Sequence, residues 1–78
     1  MNTGMLWFDN NPKTDIATKI LDGVSYYKKK YGLNPDMCVI NPNMHGPEGI
    51  TVKNIEIRTN NTILPNHFLI GNETAEET

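Results

Sequence analysis

Apolar residues occur in short clusters along the chain, and the spacing within each cluster predicts its secondary structure. Residues 4–8 (Gly-Met-Leu-Trp-Phe) form an apolar run that stops at the turn-forming residues 9–12, which predicts a strand. Residues 37–40 (Met-Cys-Val-Ile) are apolar without alternation, which predicts a strand covered on both faces or lying in the middle of a sheet. Residues 67–70 predict a last strand.

The longest periodic segment predicts an amphipathic helix. Steps of four, four, three and four residues place one apolar stripe on its surface, formed by Ile16, Ile20, Val24, Tyr27 and Tyr31. Two start sites fit the pattern, either Asn11 as the N-cap with Pro12 at the first helical position, or Thr14 as the N-cap with Asp15 after it. The helix is predicted to end at Gly32, because glycine adopts the left-handed conformation that closes a helix.

Residues 50–58 alternate in two different phases. Ile50 and Val52 share one face of an extended chain, whereas Ile55 and Ile57 share the other, so the phase slips near residues 53–54. A bulge at this point, or two short strands, would explain the slip.

These elements predict a small α/β (α+β) fold with one helix packed on one face of a single-layer sheet. The first two strands and the helix form a β-α-β unit with parallel strands 1 and 2, extended by one or two antiparallel strands. Residues 1–71 are predicted to form a single domain, and the acidic residues 72–78 a disordered tail. The predicted core consists of Leu6, Phe8, Ile16, Ile20, Val24, Tyr27, Cys38, Ile40 and Ile57.

Polar residues follow both strands of the β-α-β unit, at the carboxyl ends of the strands, where open sheets tend to bind ligands. Asp9 follows the first strand and His45 follows the second, so the two residues are candidates for a metal site or an acid and base pair. His67 would join them only if the fourth strand ran antiparallel to the first two and the connection before it brought the chain back. Turns also favour Asp and Asn for backbone reasons alone.

The segment Ser-Tyr-Tyr-Lys-Lys-Lys-Tyr-Gly at residues 25–32 suggests either a contact with nucleic acid or an ordinary helix end. Tyr26 points outward in the predicted helix, and with Lys28, Lys29 and Lys30 it forms the candidate nucleic-acid site. Lysines in a last turn also interact favourably with the helix dipole. The net charge of the chain is −2, and residues 1–71 carry seven basic and six acidic groups, which favours an auxiliary contact over autonomous binding.

Common catalytic motifs are missing from the sequence. It contains no phosphate-binding glycine loop, no Cys-x-x-C pair and no serine nucleophile motif, so we predict no catalytic residues and no cofactor. The single cysteine, Cys38, lies among apolar residues and is predicted to be a core residue with a raised pKa. One unpaired thiol, no apolar span and no leader segment predict a cytoplasmic protein that does not enter a membrane.

One helix covers one face of a sheet, so the other face should keep apolar residues that need a partner. Met5, Trp7 and Val39 are the candidates for this protein interface. The leading hypothesis is therefore a small non-catalytic interaction module, either an accessory subunit or inhibitor docking on a larger protein, or a homodimer. The alternative is an auxiliary nucleic-acid-contacting subunit, and the third hypothesis is a small metal-dependent enzyme that uses Asp9 and His45.

Overall fold

The computed structural model describes residues 3–46 and 49–73, which form one helix and a four-stranded sheet. The elements are β1 (Thr3–Phe8), α1 (Ile16–Tyr31), β2 (Met37–Ile40), a short 3₁₀ helix (Pro42–Met44), β3 (Glu56–Thr59) and β4 (His67–Asn72). The predicted class, an α+β fold with one helix on one side of the sheet, is confirmed.

Helix α1 begins one residue later than the second of the two predicted start sites, which had Thr14 as the N-cap. Asp15 is the N-cap, and its Oδ1 accepts a hydrogen bond from the Thr18 N–H at 2.8 Å. Hydrogen bonds from the Thr18 side chain and from the Thr18 N–H lower the pKa of the Asp15 carboxyl, because they favour its charged form. The helix ends where predicted, with Gly32 left-handed at φ 68° and its N–H donating to the Lys28 carbonyl at 2.9 Å.

The sheet has the order β1-β4-β2-β3. Strand β4 is antiparallel to both β1 and β2, and it lies between them. The two strands of the β-α-β unit therefore point the same way, as predicted, but they are not neighbours. Of the two added strands, β4 is antiparallel, as predicted, whereas β3 pairs with β2 in parallel.

A tight turn accounts for the change of phase after β2. Val52 forms an isolated antiparallel bridge with Ile55, whose N–H donates to the Val52 carbonyl at 3.1 Å. Asn54 adopts the left-handed conformation at φ 66°, which asparagine tolerates better than most residues. Only the second part of the predicted segment becomes a strand, β3, while Val52 packs into the core.

Strand β1 faces the core with residues of the opposite phase to that predicted. Met5 is buried, whereas Leu6 and Phe8 are 60% and 54% exposed, so placing Leu6 and Phe8 in the core was wrong. The register with β4 decides the phase, because it sets Met5 opposite Ile70 and Trp7 opposite Phe68.

The other predicted core residues lie in or against the observed core. Five are buried, namely Ile20, Val24, Tyr27, Cys38 and Ile40, while Ile16 and Ile57 are partly buried and pack against them. Cys38 is fully buried, and burial raises the pKa of its thiol to about 12, as predicted.

Two residues of the predicted tail, Asn72 and Glu73, belong to the part of the chain that the structure describes. Strand β4 includes Asn72, and the Glu73 N–H donates to Asp36 Oδ1 at 3.0 Å. The rest of the predicted tail, residues 74–78, lies outside the described residues.

Candidate functional site

The Asp and Asn residues that follow the strands stabilise turns of the backbone. Asp9 Oδ1 accepts a hydrogen bond from the Asn11 N–H at 2.9 Å, and Asn11 Oδ1 accepts one from the Lys13 N–H at 3.0 Å. Asn41 Oδ1 likewise accepts from the Asn43 N–H at 2.8 Å. These oxygens satisfy donors two residues ahead, which is the usual structural use of Asp and Asn in turns.

His67 lies at the same end of the strands as Asp9, since β4 begins where the antiparallel strand β1 ends. Asn66 pairs with Asp9, whose N–H donates to the Asn66 carbonyl at 3.0 Å. The His67 ring lies 4.9 Å from the Phe8 ring, and its Nδ1 donates to the Pro65 carbonyl at 2.9 Å. Strand β4 runs antiparallel to β1 and β2, so the condition for placing His67 at this end of the strands is met. The His67 ring is held by a turn and an aromatic contact.

His45 closes the 3₁₀ helix, with its N–H donating to the Pro42 carbonyl at 3.3 Å. Within residues 3–46 and 49–73, no three His, Cys, Asp or Glu side chains lie close enough together to hold a metal ion. The pair Asp9 and His45 thus gains no further ligand from the part of the chain that the structure describes.

Tyr26 has a structural contact despite facing partly outward. Its ring lies 5.4 Å from the Trp7 ring, tilted by 37°, so Tyr26 packs on strand β1 with one face while 49% of the residue stays exposed. Tyr27 is fully buried, and its ring lies 4.8 Å from that of Tyr31. The outward orientation predicted for Tyr26 is confirmed, and its packing on Trp7 explains part of its position.

The three helix-end lysines are exposed, and two of them, Lys28 and Lys30, lie against different parts of the molecule. The Lys30 ammonium lies 5.4 Å from the centre of the Tyr31 ring, a cation–π contact. Lys28 instead lines a groove of about 590 Å³ between α1 and the turn at Asn54. Lys53 lines the same groove, so the fold brings together two cations that are 25 positions apart in sequence.

The groove is polar over much of its lining. Besides Lys28 and Lys53, it includes the carboxylate-bearing Asp36 and three amides, those of Asn34, Asn54 and Asn72. The groove lies beside the start of β2 and the end of β4, at the opposite end of the strands from Asp9. Sequence spacing gives no signal for this groove, because its lining comes from four separate segments.

The sheet face opposite α1 is apolar in its β1–β4 half. Leu6 and Phe8 project there from β1, and Leu69, which pairs with Leu6, projects from β4 and is half-buried. We call these three residues the apolar patch. Of the predicted interface residues, Val39 is half-buried and lies on this face, whereas Met5 and Trp7 lie on the helix side.

The β2–β3 half of the same face carries charged groups. Arg58 Nε donates to Glu56 Oε2 at 3.0 Å, and Arg58 Nη2 donates to Glu73 Oε1 at 3.3 Å. Arg58 Nη1 also lies 3.9 Å from the sulfur of Met37, which is only 3% exposed. The Arg58 guanidinium therefore covers Met37, and it lowers the pKa of the Glu73 carboxyl by hydrogen bonding and charge attraction.

Helix α1 is not a membrane-spanning candidate, and no other helix in residues 3–46 and 49–73 has the length and apolar character to cross a bilayer. The chain matches no protein-family model, and comparisons with curated proteins and with solved structures find no significant similarity.

Proposed function

We propose that this chain is a non-catalytic protein-interaction module that docks through the apolar patch. The observation that carries the proposal is the exposure of Leu6 and Phe8, at 60% and 54%, on one face of the same strand. Leu6 pairs with Leu69 on β4, and Phe8 follows Leu6 on the same face of β1, so the three residues form one exposed apolar region. Contiguous apolar area on a small protein marks an interaction surface more often than scattered apolar residues do.

Docking would supply free energy that the isolated chain lacks. Burying a Leu or Phe side chain fully contributes about 1.5–3 kcal/mol each, which is large compared with the modest stability of a chain this short. The patch is uncharged, and the Arg58 cluster lies on the same face beyond Val39. An apolar centre with polar residues around it is the usual composition of a protein interface.

The two other functions have less support. The nucleic-acid hypothesis uses Tyr26, which packs on Trp7, and lysines that contact different parts of the surface. The metal-dependent enzyme uses Asp9, whose Oδ1 already accepts a backbone hydrogen bond. The proposal includes the predicted cytoplasmic location, where the single buried thiol would stay reduced.

Site-specific photo-crosslinking in the cells that produce the protein tests the proposal. A benzoylphenylalanine in place of Phe8 should give a discrete cross-linked product, either with the same protein or with another one. The matched control places the same group at Leu21, which is 53% exposed on α1. A product from position 8 and none from position 21 supports the patch, whereas equal products from both positions, or none from either, would count against it.

A further inference from the structure

Among the described residues, no strand pairs with the outer edge of β1, which lies beside the apolar patch. Asp9 and Asn66 continue the β1–β4 register, and the Asp9 N–H donates to the Asn66 carbonyl at 3.0 Å. Hydrogen-bonded and non-hydrogen-bonded pairs alternate in antiparallel strands, so Trp7 and Met5 also bond to β4. The N–H and C=O groups of the residues between them, Gly4, Leu6 and Phe8, therefore point away from the sheet.

Strand β1 also lacks the features that usually protect an edge strand. Its sequence, Thr-Gly-Met-Leu-Trp-Phe, contains no charged residue and no proline. Among the described residues, no strand pairs with its outer edge. An exposed, uncharged and apolar edge favours pairing with another strand.

We infer that β1 pairs antiparallel with β1 of a second copy of this chain, joining two sheets into one of eight strands. This inference rests on the proposed interaction function and names a partner for the strand edge beside the apolar patch. The strand complements itself when the two-fold axis passes through Leu6. Gly4 then lies opposite Phe8 of the second copy, and the outward-pointing groups of Gly4, Leu6 and Phe8 form about six hydrogen bonds between the chains.

Side chains on both faces fit this register. On the open face, the Phe8 ring lies over Gly4 of the second copy, a pairing in which an aromatic ring covers the backbone that glycine leaves bare. On the helix side, Met5 lies opposite Trp7 of the second copy, where thioether and aromatic groups attract each other. Leu6 meets its own counterpart at the axis.

Charge favours the antiparallel arrangement as well. Asp9 follows β1 directly, so parallel pairing in register would set the two Asp9 carboxylates side by side. Antiparallel pairing places them at opposite ends of the shared ladder. A second copy therefore meets no like charge along the strand.

Cysteine cross-linking distinguishes edge pairing from other contacts. The native Cys38 is fully buried, so an introduced cysteine is the reactive thiol. Leu6→Cys should give a disulfide-linked dimer under mild oxidation, because residues paired across the axis lie about 5.5 Å apart between Cα atoms. Leu69→Cys, one strand further in on the same face, should give none, since three strand spacings separate its two copies.

Backbone exchange provides a second readout that leaves the sequence unchanged. With rising protein concentration, the amides of Gly4, Leu6 and Phe8 should exchange more slowly with solvent, while those of Ile57 and Thr59 on β3 should not change. Gly4→Pro should raise the dissociation constant about 30-fold through loss of two hydrogen bonds by symmetry, whereas Gly4→Ala keeps the N–H and serves as the control.

A sedimenting mass that doubles with concentration, together with cross-linking at position 6 alone, is the expected result. Equal cross-linking at positions 6 and 69 would overturn edge pairing and show face-to-face packing, which leaves the proposed interaction function standing. A strictly monomeric chain whose edge amides show no change would also overturn the inference. The proposed function itself fails only if the photoreactive group at position 8 gives no specific product.

Discussion

The two edges of this sheet differ in length, charge and covering. Strand β3 is four residues long and carries Glu56 and Arg58, whose ion pair extends to Glu73 and covers Met37. Strand β1 is six residues long, has no charge, and exposes Leu6 and Phe8. Since charged residues on an edge strand discourage pairing, the difference indicates that β1 is the edge available to a partner.

The largest expected loss of stability comes from removing a buried side chain on β4, the strand that lies between β1 and β2. Phe68 on β4 is fully buried, so Phe68→Ala should lower the free energy of unfolding by about 3–5 kcal/mol. The matched control is Leu69→Ala on the opposite face, which should cost much less because that face is open. Urea denaturation at low protein concentration measures both, and equal losses would contradict the contrast between the two faces.

A smaller loss is expected where the helix approaches the β1 side of the sheet. A Cβ at Gly23 would clash with Ile70 Cδ1 and lie 2.9 Å from the Trp7 ring. Gly23→Ala should therefore destabilise the protein by about 1–3 kcal/mol, although alanine in a helix normally stabilises by up to about 1 kcal/mol. Ser25→Ala, at an exposed position of α1, is the control, and a stabilising Gly23→Ala would show that the helix does not need this close approach.

A charged residue on the unpaired edge strand β1 should have little effect on the stability of the isolated chain. Leu6→Lys changes the free energy of unfolding by less than about 1 kcal/mol, because Leu6 is mostly exposed. It should nevertheless abolish the concentration-dependent increase in sedimenting mass, whereas Thr59→Lys on β3 should not. Loss of association in both variants would mean that the β1 edge is not specific.

The subtlest effect concerns the protected edge. Arg58→Ala should speed the oxidation of Met37 by peroxide and leave that of Met5, on the other face, unchanged. Acid should act in the same direction, because Glu73 has a lowered pKa. The ion pair between Glu73 and Arg58 is fully formed above the ordinary pKa of a glutamate. It is lost as the pH falls through the lowered pKa of Glu73.

Mass spectrometry of the oxidised methionines across that pH range measures the change. In the wild type, Met37 should stay protected at neutral pH and become accessible only in acid. Equal oxidation of Met37 in the wild type and the Arg58→Ala variant would show that the guanidinium does not cover this half of the sheet.

Local chemistry predicted the helix more closely than it predicted the sheet. The apolar stripe and the end at Gly32 appear in the structure, and the N-cap lies one residue after the predicted Thr14, since each depends on residues within a few positions. The raised pKa of Cys38 also followed from its apolar neighbours in sequence. By contrast, the insertion of β4 between β1 and β2 depends on contacts between distant segments.

The candidate surfaces show the same limit. Residues 5–8, Met-Leu-Trp-Phe, are apolar in both phases of a strand, so alternation alone does not decide which pair faces the helix. The sequence predicted exposed apolar residues on the uncovered face, but Met5 and Trp7 were chosen where Leu6 and Phe8 are the exposed pair. Gly23 offered a signal, because a glycine close to the apolar stripe of a helix makes room for a bulky group such as Trp7.

The sequence by itself determined the secondary structure, the single apolar face of the helix and an excess of apolar residues over what one helix can cover. Those properties follow from the periodicity of neighbouring residues. Only the tertiary structure decided which face of β1 is exposed to solvent and which edge strand is covered by charged side chains, because both depend on register. Pairing with β4 directs Met5 inward, and the meeting of Arg58 with Glu73 joins segments that are 15 positions apart.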